Sequence, residues 1–220
     1  MVGQASIASR GSWLLCVYLK IFPLSLYRIR DIVLASLGLL LLSPLMGLIA
    51  LLLWWTQGQV FFRQQRPGRN EVPFTLIKFS TMRDALPWQD EAFRQRDRLT
   101  SVGRYLRRWS LDELPQLINV LRGEMSLVGP RPLLMDYLPL YTEEEHRRHK
   151  IRPGITGWAQ VHGRNALSFK ERFELDLWYM EHRSFALDLR ILWLTLAKVW
   201  RSEGVYADAH TTSAPYNGSN

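Results

Sequence analysis

The longest stretch of the sequence without a charged side chain runs from Ile32 to Phe62, about 30 residues. Within it, Ile32 to Trp55 is long enough to form a helix that crosses the hydrocarbon core of a bilayer. A buried helix of a soluble domain is a poor alternative, because no polar face interrupts the run. The segment also starts too late in the chain for a cleavable signal peptide. The sequence therefore predicts a membrane helix.

Ser43 and Pro44 divide this apolar segment into two halves of similar length. Proline removes a backbone hydrogen bond from a helix and its ring collides with the preceding turn, so we expect the helix to break here. Each half would be about 16 Å long, roughly half the thickness of the hydrocarbon core. The arginines that flank the segment are Arg28 and Arg30 on one side and Arg63, Arg66 and Arg69 on the other. Because basic residues stay on the cytoplasmic side, this favours a re-entrant helix–break–helix hairpin over a kinked helix that spans the bilayer.

The rest of the chain indicates an α+β fold that is mostly helical around a small sheet. Two β-prone segments between residues 60 and 79 flank a polar turn, which predicts a β-hairpin. Helices are predicted at Gly103–Trp109, Leu114–Leu121, Glu143–Lys150, Ser168–Arg183 and Leu187–Ser202. We divide the chain into an N-terminal interfacial segment (1–30), a membrane hairpin (31–57), a cytosolic domain (58–206) and a disordered tail (207–220).

The chain carries an excess of positive charge. Its 28 Lys and Arg residues outnumber 20 Asp and Glu residues, giving a formal charge of +8. Such an excess favours an anionic partner: nucleic acid, anionic lipid or a phosphorylated substrate. Nucleic acid is the weakest of these interpretations, because the basic residues flank membrane-facing segments. The single cysteine, Cys16, excludes an intrachain disulfide and any multi-cysteine metal site.

Two adjacent carboxylates, Asp112 and Glu113, lie at the start of a predicted helix. Ser110 and Glu113 have the spacing of a capping box, and Pro115 is tolerated only in a first helical turn, so we place the helix start at or near Asp112. Backbone N–H groups point outward there and stabilise ionised carboxylates, which suits a nucleophile or a metal ligand. Ordinary helix capping by acidic residues explains the same pattern, and this fragment alone does not decide between them.

Several basic residues could bind phosphate groups near these carboxylates. Arg131 stands out because Pro130 and Pro132 fix the backbone on both sides of it, and we expect it to be functional. We interpret a second group as a basic face turned to solvent or lipid. Its members are Arg104, Arg107 and Arg108.

Two further segments contain residue types that binding sites use. Arg152–Gln160 offers a guanidinium, two glycines for close backbone approach and an aromatic plane, which suits either a nucleotide or a packed turn. His146 and His149 have i,i+3 spacing, but the segment around them is otherwise charged. We therefore interpret these histidines as part of a solvated helix face rather than a metal site.

Taken together, these motifs resemble the bacterial sugar transferases, also called monotopic phosphoglycosyl transferases. The resemblance covers about residues 31 to 206 and is strongest in Ser110–Leu121 and Met125–Pro132. Ser43 and Pro44 match the break in the re-entrant membrane helix of this family. Further matches are Gln65–Gly68, Lys78 and Phe79, Arg152–Trp158, Tyr179, Glu181, Ser184 and Asp188.

The resemblance implies an enzyme that transfers a sugar 1-phosphate from a UDP-sugar to polyprenyl phosphate and releases UMP. It implies that Asp112 is the nucleophile of a covalent phosphosugar intermediate and that Glu113, together with Asp112, binds Mg²⁺. Substrate contacts are expected from Lys78, Arg131, Arg152, Gly154, Thr156 and Trp158. The catalytic domain would lie on the cytoplasmic face of the bacterial inner membrane and start a lipid-linked glycan such as an exopolysaccharide.

The sequence departs from the family pattern at Ser80, where arginine is usual, and at His162 and His182, where asparagine is common. A membrane-associated, Mg²⁺-dependent diphosphate hydrolase could use the same carboxylates with water as the nucleophile. A basic membrane scaffold without activity would explain the charge and the hairpin but not the carboxylate pair. The transferred sugar and homo-oligomer formation stay open.

Overall fold

The computed structural model describes residues 8–83, 98–163, 167–201 and 216–218. Residues 84–97 and all of the predicted tail 207–220 except residues 216–218 lie outside the described residues. The helices are α1 (Ala8–Gln57), α2 (Ser101–Arg108), α3 (Gln116–Arg122), α4 (Glu143–His146), α5 (Trp158–His162), α6 (Phe169–His182) and α7 (Phe185–Trp200). The strands are β1 (Phe61–Pro67), β2 (Pro73–Phe79), β3 (Ser126–Val128) and β4 (Gly154–Thr156). The fold is therefore mostly helical with a small β portion, as predicted, but this portion forms two sheets and not one.

Helix α1 contains the part of the apolar segment from Ile32 to Gln57 and continues through Ser43 and Pro44. The predicted interruption of the helix at this pair is therefore absent. Pro44 has no N–H to donate to the carbonyl of Leu40, and the Ser43 hydroxyl donates to that oxygen instead, at 2.9 Å. This bond replaces the one that proline removes. Within the described residues, Leu26–Gln57 is the one segment long and apolar enough to cross a membrane.

One face of α1 packs on the rest of the protein. Asp31, Ala35, Ile49 and Leu53 are buried, and their spacing places them on the same side of the helix. At the end of the helix, the Gln57 side-chain amide donates to the carbonyl oxygen of Ser80 at 2.7 Å. The opposite face is apolar and exposed, and includes Leu37, Leu40, Leu41, Leu48, Leu51 and Trp55. Both ends of the apolar segment thus contact the same domain.

The two sheets are small and differ in topology. Strands β1 and β2 form the predicted antiparallel hairpin, with Phe61 opposite Phe79 and Pro67 opposite Pro73. Strands β3 and β4 form a parallel pair that the sequence did not indicate. The backbones meet closely where β3 ends, because a Cβ on Gly154 would lie 2.1 Å from the amide nitrogen of Gly129. Only glycine fits at this contact.

The two C-terminal helices, α6 and α7, confirm the helices predicted at 168–183 and 187–202, and each of their four ends lies within two residues of the predicted end. Ser168 caps α6 with the reciprocal bonds of a capping box to Glu171, and the Ser184 hydroxyl caps α7. Helix α7 exposes an apolar face at i, i+4, i+7 and i+11. Its members are Leu189, Trp193, Leu196 and Trp200, between 47% and 85% exposed.

A buried polar network joins α1 to the C-terminal helices. The Arg30 guanidinium donates to Asp31 Oδ1 at 2.8 Å and to Asp188 Oδ2 at 2.5 Å, and all three side chains are buried. Tyr179 donates to the other oxygen of Asp188, and Ser126 donates to Asp31, both at 2.6 Å. Arg30 is therefore part of the interior and not a free charge beside the membrane.

Candidate active site

The carboxylate pair lies on a tight turn between two helices. Helix α2 ends at Arg108, Ser110 adopts a left-handed conformation with φ of 53°, and a single 3-10 turn covers Leu111–Glu113. The Ser110 side chain makes no capping bond, so the predicted capping box with Glu113 is wrong. The α-helix begins after Pro115, later than predicted, and Gly123 with φ of 83° ends it. Asp112 and Glu113 are thus held by the turn itself.

Two cations bind Glu113 directly. The Lys78 ammonium donates to Glu113 Oε1 at 2.9 Å, and the Arg131 guanidinium donates to the same oxygen at 2.7 Å. Burial favours a raised pKa for the Glu113 carboxyl, but the opposite charges and hydrogen bonds of Arg131 and Lys78 outweigh it and lower the pKa below the usual range. Glu113 is therefore ionised throughout the physiological pH range.

Asp112 has a different environment although it is the next residue. Its side chain is buried, and within the described part of the chain no group donates a hydrogen bond to its carboxylate. Burial, and next the negative charge of Glu113, raise the pKa of Asp112, while Lys78, Arg107 and Arg131 act in the opposite direction. A more basic carboxylate without hydrogen-bond donors is a better nucleophile than its neighbour.

A cavity of about 940 Å³ opens beside this pair. Its polar wall includes Asp112, Glu113, Lys78, Arg131, Arg107 and Thr81. Its apolar wall includes Gly38 and Leu42 of α1, Leu117 of α3, and Leu196 and Val199 of α7. The cavity therefore joins a wall of basic and acidic side chains to the helices that carry the exposed apolar faces.

Three of the six predicted substrate-binding residues line this cavity, and three do not. Lys78, Arg131 and Thr156 are in its wall, although the Thr156 hydroxyl also bonds the hydroxyl of Thr195 at 2.7 Å. The other three pack elsewhere. The Arg152 guanidinium donates to the Gly123 carbonyl, Gly154 lies in the tight β4 contact, and the buried Trp158 stacks on the more exposed Trp178.

Ser80, which replaces the arginine usual in this family, also lines the cavity. Its hydroxyl lies within hydrogen-bond distance of Gln59 Oε1 and of the Met82 carbonyl, and the residue is buried. It therefore brings no charge to the wall. Arg107 brings one: it lines the same cavity, and its Nε donates to Thr81 Oγ1 at 2.9 Å. Arg107 is exposed as predicted, but it faces the site and not only solvent or lipid.

Arg148 supports the site although its sequence context does not indicate this. The charged pattern around it predicts a solvated helix face, yet Arg148 and His149 are both buried. The Arg148 guanidinium pairs with Asp176 at 2.6 Å and donates to the Arg131 backbone carbonyl at 2.8 Å. It thus holds the backbone of the arginine that binds Glu113. Nothing in the local charge pattern indicates this role, because Asp176 lies 28 residues away.

The carboxylate pair also fits the predicted divalent cation. Mg²⁺ is usually held by one or two protein carboxylates, with water and substrate phosphates supplying the remaining oxygens. Glu113 Oε1 is bound by two cations, which leaves Glu113 Oε2 and the Asp112 carboxylate as the donor oxygens on this side of the cavity. Hard oxygen donors of this kind suit Mg²⁺ better than a softer metal.

Comparison with known proteins identifies the family. The family model described as bacterial sugar transferase matches residues 23–202, most of the chain. The chain belongs to this family and is an enzyme, which confirms the resemblance inferred from the motifs.

Relatives in several bacteria share this similarity. The chain is 57% identical over 160 residues to an uncharacterized sugar transferase, EpsL, of Bacillus subtilis, covering 73% of this chain and 79% of that protein. It is 41% identical to the exopolysaccharide production protein ExoY of Rhizobium meliloti, covering 80% and 86%. It is 42% identical to the UDP-glucose:undecaprenyl-phosphate glucose-1-phosphate transferase of Escherichia coli, covering 82% of this chain but 41% of that longer protein.

Proposed function

We propose that this protein transfers a sugar 1-phosphate from a UDP-sugar to a polyprenyl phosphate and releases UMP. The printed names of several relatives describe this reaction with UDP-glucose and undecaprenyl phosphate. The observation that carries the proposal is the position of Asp112, in a cavity with arginines on one wall and residues of α1 and α7 on another. A soluble diphosphate and a lipid phosphate can both reach such a site.

The reaction would proceed in two displacements at one phosphorus atom. In the first, a carboxylate oxygen of Asp112 bonds to the sugar-linked phosphorus, and the bond from that phosphorus to the bridging oxygen breaks, so that UMP leaves with the electron pair. In the second, an oxygen of polyprenyl phosphate bonds to the same phosphorus and the aspartyl–phosphorus bond breaks. The products are UMP, free Asp112 and a polyprenyl diphosphate sugar.

The basic residues would reduce the repulsion between these anions. Arg131, Lys78 and Arg107 place positive charge on the wall that contains Asp112, where phosphate oxygens must approach. Glu113 would hold Mg²⁺ together with Asp112, and the bound ion would supply Lewis-acid stabilisation of phosphate charge. Glu113 also keeps Arg131 and Lys78 in position through its two ion pairs.

The membrane position follows from the same surfaces. The exposed apolar faces of α1 and α7 are too extensive for solvent and would lie in the bilayer, with Trp55 and Trp200 at 83% and 85% exposure. Asp31 and Gln57, at the two ends of the apolar segment, both contact the domain. Although α1 continues through Ser43 and Pro44, these contacts tie both ends of the apolar segment to one domain, which favours insertion from one side, the cytoplasmic side of the inner membrane, over a helix that spans the bilayer.

The test is release of UMP by the purified full chain supplied with Mg²⁺, UDP-glucose and undecaprenyl phosphate. We expect UMP and a lipid-linked sugar diphosphate in equal amounts, and other UDP-sugars should be compared if glucose is inactive. Release of UDP would mean direct glycosyl transfer and would refute the mechanism. Many turnovers of UMP release without lipid would indicate the hydrolase.

The role of Asp112 is tested separately from the overall reaction. Asp112→Asn should abolish UMP release, whereas Asp136→Asn, at an exposed carboxylate, should leave it unchanged. Quenching the wild-type enzyme with UDP-sugar but no lipid should give a phosphosugar adduct on the peptide that contains Asp112, by mass spectrometry. Product formation without any such adduct would remove Asp112 as the nucleophile.

A further inference from the structure

Glu71, His146 and His149 form a cluster outside the catalytic cavity. Glu71 lies in the turn between β1 and β2, while His146 ends α4 and His149 lies in the 3-10 turn Arg147–Lys150. Ligand atoms of the three side chains lie within 4.8 Å of one another. The turn of the hairpin is thus brought against a segment that is 75 residues away in sequence.

The state of His149 is the observation that points to a ligand. The residue is 7% exposed, and neither ring nitrogen has a hydrogen-bond partner among the residues that the structure describes. A buried imidazole without any partner is costly, since its polar nitrogens have lost their hydrogen bonds to water. Its Nδ1 faces Glu71 Oε1 at 3.6 Å, too far for a hydrogen bond. A metal ion between His149 Nδ1 and Glu71 Oε1 would bind both of these atoms and give the Nδ1 nitrogen a partner.

The distances suit a small transition-metal ion. Two ligands of a tetrahedral ion with bonds of about 2.0–2.1 Å lie roughly 3.4 Å apart. The Glu71–His149 separation of 3.6 Å is close to this value, whereas His146 Nδ1 lies 2.5 Å from Glu71 Oε1 and would move away by about 1 Å to make room.

We propose that Glu71, His146 and His149 bind a zinc-class divalent ion that fastens the β1–β2 turn to the segment containing Arg148. Two imidazoles and one carboxylate form a donor set that Zn²⁺ prefers and Mg²⁺ does not. The site is therefore chemically distinct from the Asp112–Glu113 pair, and it does not rest on the proposed reaction. Arg148, next to His149, holds the Arg131 backbone, so the ion would stabilise one wall of the catalytic cavity from outside.

The backbone at Glu71 gives a variant that should fold. Glu71 has φ of 63°, in the left-handed region where glycine is favoured. Glu71→Gly therefore removes the carboxylate and relieves backbone strain at the same time. His149→Gln removes a second ligand, and His182→Gln is the matched control at an exposed histidine outside the cluster.

The experiment uses the full chain without a histidine tag, stripped of metal in detergent and kept in excess Mg²⁺. We expect wild type and His182→Gln to bind one equivalent of Zn²⁺, to give the visible absorption of tetrahedral Co²⁺, and to gain thermal stability with Zn²⁺. Glu71→Gly and His149→Gln should bind Zn²⁺ at least tenfold more weakly and lose the Co²⁺ band. The proposal is overturned if wild type binds no more Zn²⁺ than Glu71→Gly, or if its Co²⁺ spectrum matches that variant.

Discussion

Replacing Arg30 by methionine removes the centre of the network that joins α1 to the C-terminal helices. Methionine is similar in length and fills the space, but it donates no hydrogen bond. Two buried carboxylates, Asp31 at 2% and Asp188 at 0% exposure, would then lose their cation. Each keeps one hydroxyl donor, from Ser126 and Tyr179. The variant therefore carries uncompensated negative charge in the interior.

The expected loss of stability follows from this loss of a buried partner. Removing one member of a buried ion pair usually costs about 3–5 kcal/mol, because the remaining charge stays without compensation. For a chain of this size that corresponds to a fall in Tm of about 6 to 20 °C. The assay is thermal unfolding in detergent, followed by the fluorescence of the nine tryptophans. Arg104→Met is the control, because Arg104 is exposed and has the same charge.

A second substitution separates charge from packing. The double variant Arg30→Met, Asp188→Asn removes one of the two buried carboxylates that have lost their cation. The double variant should therefore be more stable than Arg30→Met alone. Two results would contradict this reasoning. One is a Tm of Arg30→Met within 2 °C of that of Arg104→Met. The other is that Asp188→Asn lowers the Tm of Arg30→Met by as much as it lowers the Tm of the wild type. In either case the buried ion pair does not stabilise α1 on the domain.

Three other predictions concern the site and its supports. Burial raises the pKa of Asp112, so this carboxylate is protonated at a higher pH than an exposed aspartate, whose pKa is about 4. The single-turnover rate should therefore fall as the pH drops through the raised pKa. A rate that stays constant down to pH 4 contradicts this prediction. Gly154→Ala should destabilise the protein by about 3 kcal/mol in thermal unfolding, because its Cβ would lie 2.1 Å from the Gly129 nitrogen, while Gly47→Ala, with open space around it, should be neutral. Asn119→Ala should cost about 2–4 kcal/mol, since this fully buried amide satisfies an N–H and a carbonyl of β2, and an unchanged Tm would contradict it.

The sequence predicted those parts of the fold that depend on residues close together in the chain. The β1–β2 hairpin follows from β-prone residues on both sides of a polar turn, and α3 ends at Arg122, one residue after the predicted end at Leu121. The carboxylate pair, Lys78 and Arg131 were expected near phosphate, and the structure brings all four to one cavity wall. Their catalytic and substrate-binding roles stay predictions.

The features that were missed depend on contacts between distant residues. Burial of Arg148 requires Asp176, and no local pattern reports that pairing. Strands β3 and β4 have three residues each, too few for a periodic signal. Pro44 was expected to break the helix because the rule for proline ignores side chains, and here the Ser43 hydroxyl supplies the missing hydrogen bond.

Arg28 donates to the carbonyl oxygens of Val120 and Leu121 in the last turn of α3, the helix that follows the carboxylate pair. A residue just before the apolar segment thus completes an element of the catalytic domain. A protein shortened to begin at residue 58 would lose the hydrogen bonds from Arg28 to those carbonyls and the ion pair of Asp188 with Arg30. Helix α1 and the catalytic domain therefore form one folding unit. Deleting α1 to release the enzyme from the bilayer should yield an unstable fragment rather than a soluble enzyme.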